Sequence, residues 1–355
     1  MSIKEDVIKL DNLIYEELTQ LIIKENLPKF RAEQIFRAIH KEHVTCIEEI
    51  TTLSKDLREK LSNEFALSSV DMVYQVKSKI SNASKYLFKL EDGNLIETVF
   101  MDYNSRRSIC ISSQVGCRMG CVFCASTKGG RARNITAGEM LRQIYAVEEL
   151  TGEYINNIVI MGQGEPLDNF DNLVKFLNII GDERGANKSL RKITVSTCGI
   201  SDKIKELANM DFPITLAISL HRTSDEDRSK LMPINDKYNI EGLINATQYY
   251  YNITGRRPSF EYMVIGGEND RDIDAQRLKE FVNQTHAHIN VLELNPIEEY
   301  SNSGKIGAGR EFAKKLNEMG LNATFRNSMG QDIEGACGQL RRKFKGDDDD
   351  ILYSD

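Results

Sequence analysis

No apolar run in this 355-residue sequence is long enough to cross a bilayer. The longest, at residues 155–161 and 214–220, fall far short of the ~20 residues a spanning helix needs. The opening Met1-Ser2-Ile3-Lys4-Glu5-Asp6 lacks the apolar core of a secretory signal. Both absences lead us to expect a cytoplasmic protein with no membrane partner. A surplus of positive charge is also missing. Lys and Arg number 46 against 53 Asp and Glu, for a net charge of −7, which argues against one large nucleic-acid face. There is no repeat of fixed period, and no biased segment beyond the acidic run 347–350. The seven cysteines are an odd number and suit a reducing compartment better than a disulfide framework.

Three of those cysteines form a pattern, Cys117-Arg118-Met119-Gly120-Cys121-Val122-Phe123-Cys124, or C-x3-C-x2-C. Three thiolates can hold three irons of a [4Fe–4S] cube and leave the fourth open. In this spacing the usual guest of an open iron is the amino and carboxylate groups of S-adenosylmethionine. Two rival readings stay open. The offsets would also put the thiols on one face of a buried helix, although Gly116, Gly120, Gly129 and Gly130 disfavour helix. A structural zinc site would want a second Cys or His pair, and none follows.

Residues 1–70 read as helical, with apolar spacing over 11–24, 31–41 and 54–65. Residues 71–103 read as a β-rich linker, with a hairpin turn at Glu91-Asp92-Gly93-Asn94. From residue 104 to 345 strand-like runs alternate with helical ones. The strands are expected at 155–161, 192–197, 215–220, 260–265, 290–294 and 323–327. Thr136 and Glu139 make a capping box for a helix over 137–151. Such alternation implies α/β architecture with a parallel sheet. In barrels of this kind the site gathers at the C-terminal strand ends. Residues 346–355 form an acidic tail.

The predicted strand ends carry small or polar groups: Gly162-Gln163-Gly164-Glu165, Ser196-Thr197-Cys198, Ser219-Leu220-His221 and Asn295. Glu165 offers a carboxylate to a cationic amine; a plain turn is the alternative. Cys337 sits between small neighbours in Gly335-Ala336-Cys337-Gly338, as an accessible thiol. Cys110 precedes the triad by seven residues, and a buried apolar thiol is its ordinary reading. Basic residues cluster at Arg106-Arg107, around Lys128, Arg131 and Arg133, at Arg184–Lys192, at Arg256-Arg257 and at Arg341–Lys345. If the fold gathers them, they would contact phosphates.

The runs Cys110–Cys117, Cys124-Ala-Ser-Thr127, Arg133–Glu139, Gly164-Glu-Pro-Leu167, Arg228–Asn235 and Asp332–Gln339 together resemble the radical S-adenosylmethionine adenosine methyltransferases of 23S rRNA and tRNA. The likeness spans about residues 10–345. It implies an incomplete (β/α)6 barrel with a small N-terminal helical RNA-binding domain and a β-hairpin linker. It implies Cys117, Cys121 and Cys124 as cluster ligands. Gly164, Glu165, Ser196, Ser219, Leu220, His221 and Asn295 would contact S-adenosylmethionine, two molecules of which are used per turnover. Cys337 would carry a methyl group, Cys110 would release the product through a transient disulfide, and Glu97 would accept a proton. The implied product is methylated at C2 of adenosine 2503 in 23S rRNA and of adenosine 37 in tRNA. The implied protein is a monomer reduced by a flavodoxin or ferredoxin. The family commonly has Met where this chain has Gln163. A related branch methylates C8 and confers antibiotic resistance; Ser126-Thr127 and Pro166 resemble the C2 branch. Two other readings make different predictions. A non-catalytic RNA-binding protein with a structural metal would bind zinc. Another radical enzyme would have no use for Cys110 and Cys337 as a pair.

Overall fold

The computed structural model describes residues 7–103, 106–300 and 307–340. The basic cluster at 341–345 and the acidic run lie outside the described residues.

Three amphipathic helices come first: α1 (Tyr15–Lys24), α2 (Phe30–His40) and α3 (Lys55–Glu64). Periodicity starts the first one at residue 11, but the helix begins four residues later. Asp11 is instead turned inward, where its carboxylate accepts from Ser68 N at 3.0 Å and pairs with Arg142 at 3.1 Å. Both members of that pair are buried. A buried carboxylate needs such partners, and they lie far along the chain.

Ten strands then build one sheet: β1 (Val70–Lys77), β2 (Ala83–Leu90), β3 (Leu95–Asp102), β4 (Arg107–Cys110), β5 (Asn157–Ile160), β6 (Ile193–Thr197), β7 (Thr215–Ser219), β8 (Ser259–Val264), β9 (His288–Glu293) and β10 (Ala323–Phe325). They stand across the sheet in chain order. The first four pair antiparallel, and β4 to β10 pair parallel. The linker strands thus continue the barrel sheet instead of standing apart from it. The crossovers carry α4 (Ala137–Thr151), α5 (Phe170–Gly181), α6 (Ser201–Ala208), α7 (Asp225–Leu231) with α8 (Ile240–Thr254), α9 (Asp272–Thr285) and α10 (Ala308–Glu318). That is six β/α units and a closing strand, an incomplete barrel. The parallel sheet has one strand more than the sequence suggests. β4 was hidden because Arg107-Ser108-Ile109-Cys110 has only two apolar residues.

Strand β8 is buried along its whole length, as expected with helices on one face and a barrel interior on the other. The capping box opens α4: Thr136 Oγ accepts from Glu139 N at 3.2 Å, and the Glu139 carboxylate accepts from Thr136 N at 2.9 Å. Helix α4 also joins the N-terminal helices to the barrel, through Arg142 to Asp11 and through Tyr145 OH, 3.2 Å from His40 Nδ1.

Candidate active site

Parallel strands end on one side of a sheet, so the loops leaving β4 to β9 meet there. A cavity of about 230 Å³ lies at those ends. It is lined by Cys110, Cys117, Cys121, Cys124, Gly164, Glu165, Ser196, Ser219, His221, Asn295 and Cys337. The sequence marked all of these. The remaining two marked residues lie outside the lining. Leu220 is fully buried, and its N–H donates to Glu261 O at 3.1 Å. Glu97 is buried beside Lys85, its ion-pair partner at 3.0 Å.

The triad sits in the loop between β4 and α4. Gly116 closes the loop's base with φ +74°, where a side chain would overlap the Gly130 carbonyl. Cys117 N then donates to that carbonyl at 3.1 Å. Cys117 and Cys121 are buried and Cys124 is half-buried, and all three thiols are free. Burial pushes each thiol up, that of Cys117 to about 12. Thiols held protonated bind metal only by giving up their protons, so metal uptake here is coupled to proton release. Among the described residues no three Cys, His, Asp or Glu side chains close around a single ion. A zinc needs all its thiolates at about 2.3 Å from one point. A cubane takes one thiolate per iron and wants them spread around a cavity. The donor set and its cavity therefore fit a three-thiolate iron–sulfur cluster.

Glu165 is buried beside the triad. Its carboxylate accepts from Cys198 N at 2.7 Å and from Leu167 N at 3.0 Å. Burial pushes it up, and these two N–H groups oppose that shift. A cationic amine in the cavity would complete its stabilisation. Gly164 lets this loop pass against Gln114, where a Cβ would come within 2.6 Å. His221 is pushed down to about 3, chiefly by burial and then by Arg228 and Arg222. The ring is neutral, and since Nδ1 accepts from Met263 N at 3.1 Å, Nε2 carries the proton. Phe123 of the triad loop packs edge-on against it at 5.1 Å.

Cys337 is exposed and Cys110 is buried, both as free thiols on the same cavity. Burial, with Cys337 nearby, pushes Cys110 far above the ordinary thiol range. The Cys337 loop is pinned on two sides. Asn295 Nδ2 donates to Cys337 O at 3.2 Å. Ala125 N donates to Gly338 O, and Ser126 Oγ to Leu340 O, each at 2.7 Å.

The sequence reading gave no role to three charged residues at the site. Glu261 lines the cavity, accepting from Asn290 Nδ2 at 2.7 Å and Ser259 Oγ at 2.9 Å, with Arg326 at 3.6 Å. Lys85 pairs with Glu97. Arg228 is fully buried below the triad loop. A lone charge inside an apolar strand, as at Glu261, was the one available signal. Several members of the basic clusters are committed to internal pairs. Arg131 binds Asp168, Arg133 binds Glu139, Arg107 binds Glu153, and Lys188 is buried against Glu148.

Gln163 is buried, and neither atom of its amide has a hydrogen-bond partner. Leaving a buried polar group unpaired costs about 1–3 kcal/mol. Gln163→Met, close in volume, is expected to raise stability by about 1 kcal/mol or more. Denaturant midpoints of the two apoproteins check this; an unchanged or lower midpoint refutes it.

Two family descriptions match the chain: the radical SAM superfamily over residues 111–278, and the ribosomal RNA large subunit methyltransferase N-terminal domain over residues 8–67. A probable dual-specificity RNA methyltransferase RlmN of Lachnospira eligens is 47% identical over 343 residues, covering 96% of this chain and 98% of the relative. One from Clostridioides difficile is 44% identical over 340 residues, covering 95% and 98%. A solved radical SAM methyltransferase from Sphaerobacter thermophilus superposes with a TM-score of 0.89 at 38% identity, over 95% of this chain and all of the other.

Proposed function

The chain belongs to the RlmN family of radical SAM RNA methyltransferases, and from that premise we propose that it methylates C2 of adenosine 2503 in 23S rRNA and of adenosine 37 in tRNA. The observation that carries this reading is one cavity shared by the thiol triad, an exposed Cys337 and a buried Cys110.

Adenine C2 is not nucleophilic, so it cannot take a methyl group from a sulfonium by displacement. A carbon radical adds to such an sp² carbon without that requirement. Cys117, Cys121 and Cys124 would hold a [4Fe–4S] cluster, with Glu165, Ser196, Ser219, His221 and Asn295 around the cofactor. Bound there, the cluster supplies the electron that cleaves S-adenosylmethionine to a carbon radical. Cys337 takes a methyl group from a first cofactor molecule, its thiolate displacing the sulfonium sulfur. Its S-methyl group then stands in the cavity where a second molecule is cleaved. That S-methyl group would give one hydrogen atom to the carbon radical and bond to C2 through its remaining carbon; the C2 proton would pass to a base and the surplus electron back to the cluster. Cys110 would then lose its proton and attack the Cys337 sulfur as the S–C bond breaks, the freed carbon taking up a proton to become the product's methyl group and leaving a disulfide for cellular thiols to reduce. Glu97, ion-paired with Lys85 at 3.0 Å, is the proton acceptor in this scheme. Residues 1–70 serve RNA binding. A flavodoxin or ferredoxin reduces the protein, which works as a cytoplasmic monomer.

The test is mass spectrometry of rRNA and tRNA from cells lacking and carrying the gene. 2-Methyladenosine is expected at both positions only with the gene. 8-Methyladenosine, or no change, would sink this reading. The C8 alternative is disfavoured by Ser126-Thr127 and Pro166.

A further inference from the structure

Arg228 has no task in that scheme, yet among the fully buried side chains it is the largest. Its guanidinium donates to Cys198 O at 2.7 Å, Asn235 Oδ1 at 2.9 Å, Ser219 O at 3.1 Å and Leu220 O at 3.2 Å. All four acceptors are neutral, and the Asp225 carboxylate reaches it only through Asn235, whose Nδ2 donates to Asp225 Oδ1 at 3.0 Å. A buried cation with only neutral partners is costly and calls for an anion close by. The groups whose negative charge would bear on it are the sulfurs of Cys198 and of Cys121, the middle member of the triad, and the Asp225 carboxylate.

The surrounding segment also supports the triad loop from below. Leu231 O accepts from Val122 N at 3.1 Å, and the Pro233 ring lies 3.4 Å from where a Gly120 side chain would start. The Cys198 peptide extends the connection. Its C=O accepts from Arg228, and its N–H donates to Glu165 Oε2, each at 2.7 Å. One guanidinium thus ties together the ends of β6 and β7, the Glu165 carboxylate and the floor under the cysteines.

We propose that Arg228 is a positioning residue with two effects, an inference that rests on the three thiols holding a cluster. Its fixed charge favours the reduced cluster, which carries one more negative charge than the oxidised form. Its fork holds Glu165 and the two strand ends in the shape that receives the amino group and ribose of S-adenosylmethionine. Charge near a cluster and burial both set its potential, and a cation in a low-dielectric interior acts strongly.

The experiment compares wild type, Arg228→Lys and Arg228→Met after anaerobic reconstitution with iron and sulfide. Midpoint potential is read by EPR-monitored redox titration, and S-adenosylmethionine affinity by the change it makes in the EPR signal. The methionine variant is expected to have a lower midpoint potential. Lysine keeps the charge and should keep the potential near wild type. Both variants should bind S-adenosylmethionine about tenfold or more weakly, because neither presents the planar fork. A methionine variant with wild-type potential and wild-type affinity overturns the proposal. So does a lysine variant whose potential falls as far as that of methionine. If the methionine protein holds no cluster, Arg228→Gln, also neutral, is read in the same way. A wild-type protein that takes up no cluster at all would instead strike down the cluster assignment itself.

Discussion

Cys110→Ala protein purified from cells is expected to carry RNA that survives denaturation, while Cys337→Ala protein carries none. The two thiols are not equivalent in the structure. Cys337 is exposed at the cavity and sits in a loop pinned at Asn295, Ala125 and Ser126. It is the one placed to meet both cofactor and base. Cys110 lies buried at the end of β4 and is held protonated. Without Cys337 nothing takes up the methyl group, so no adduct forms. Without Cys110 the carbon–carbon bond still forms, but the sulfur of Cys337 has no attacker and the base stays attached. Denaturing gels with and without ribonuclease read this directly. Normal turnover by Cys110→Ala, or trapped RNA on Cys337→Ala, would show that the two-cysteine scheme does not apply.

The second large effect concerns the triad. Wild-type protein reconstituted without oxygen should be brown and carry about four irons per chain, the content of one cubane. Replacing Cys117, Cys121 or Cys124 with Ala should drop iron to well below one per chain and abolish methylation, with the apoprotein still folded. The fold is expected to survive because the core is extensive and the triad, whose thiols also line the cavity, supplies only a small part of it. Stoichiometric zinc without labile sulfide in the wild type, or full iron in all three variants, would contradict the assignment.

The residues whose chemistry is local in sequence were the legible ones. The triad, the glycine loop at Glu165 and the capping box at Thr136 each show their meaning within a few neighbours. Periodicity placed six of the seven parallel strands for the same reason. What stayed hidden depends on partners far along the chain. Asp11 reads as a helix residue until Arg142 is seen to claim it. Arg228 enters the sequence reading only as the first residue of a family-like run, because its acceptor at Cys198 lies thirty residues earlier. Arg107, Arg131 and Arg133 read as free basic residues, but their carboxylate partners lie on other elements. The orphaned amide of Gln163 could be suspected only as a departure from the family, and its burial was needed to give that departure a physical cost.

The chain-order arrangement of the sheet bears on how the metal enters. Each strand pairs with one made just before it, so β4 to β9 and the three triad cysteines can assemble before residues 335–340 are made. The wall formed by residues 335–340, which covers the triad loop through Ala125 and Ser126, is made after all of them. Until then the cavity lacks one side. An iron–sulfur donor therefore has an interval during synthesis when the thiols are gathered but still open.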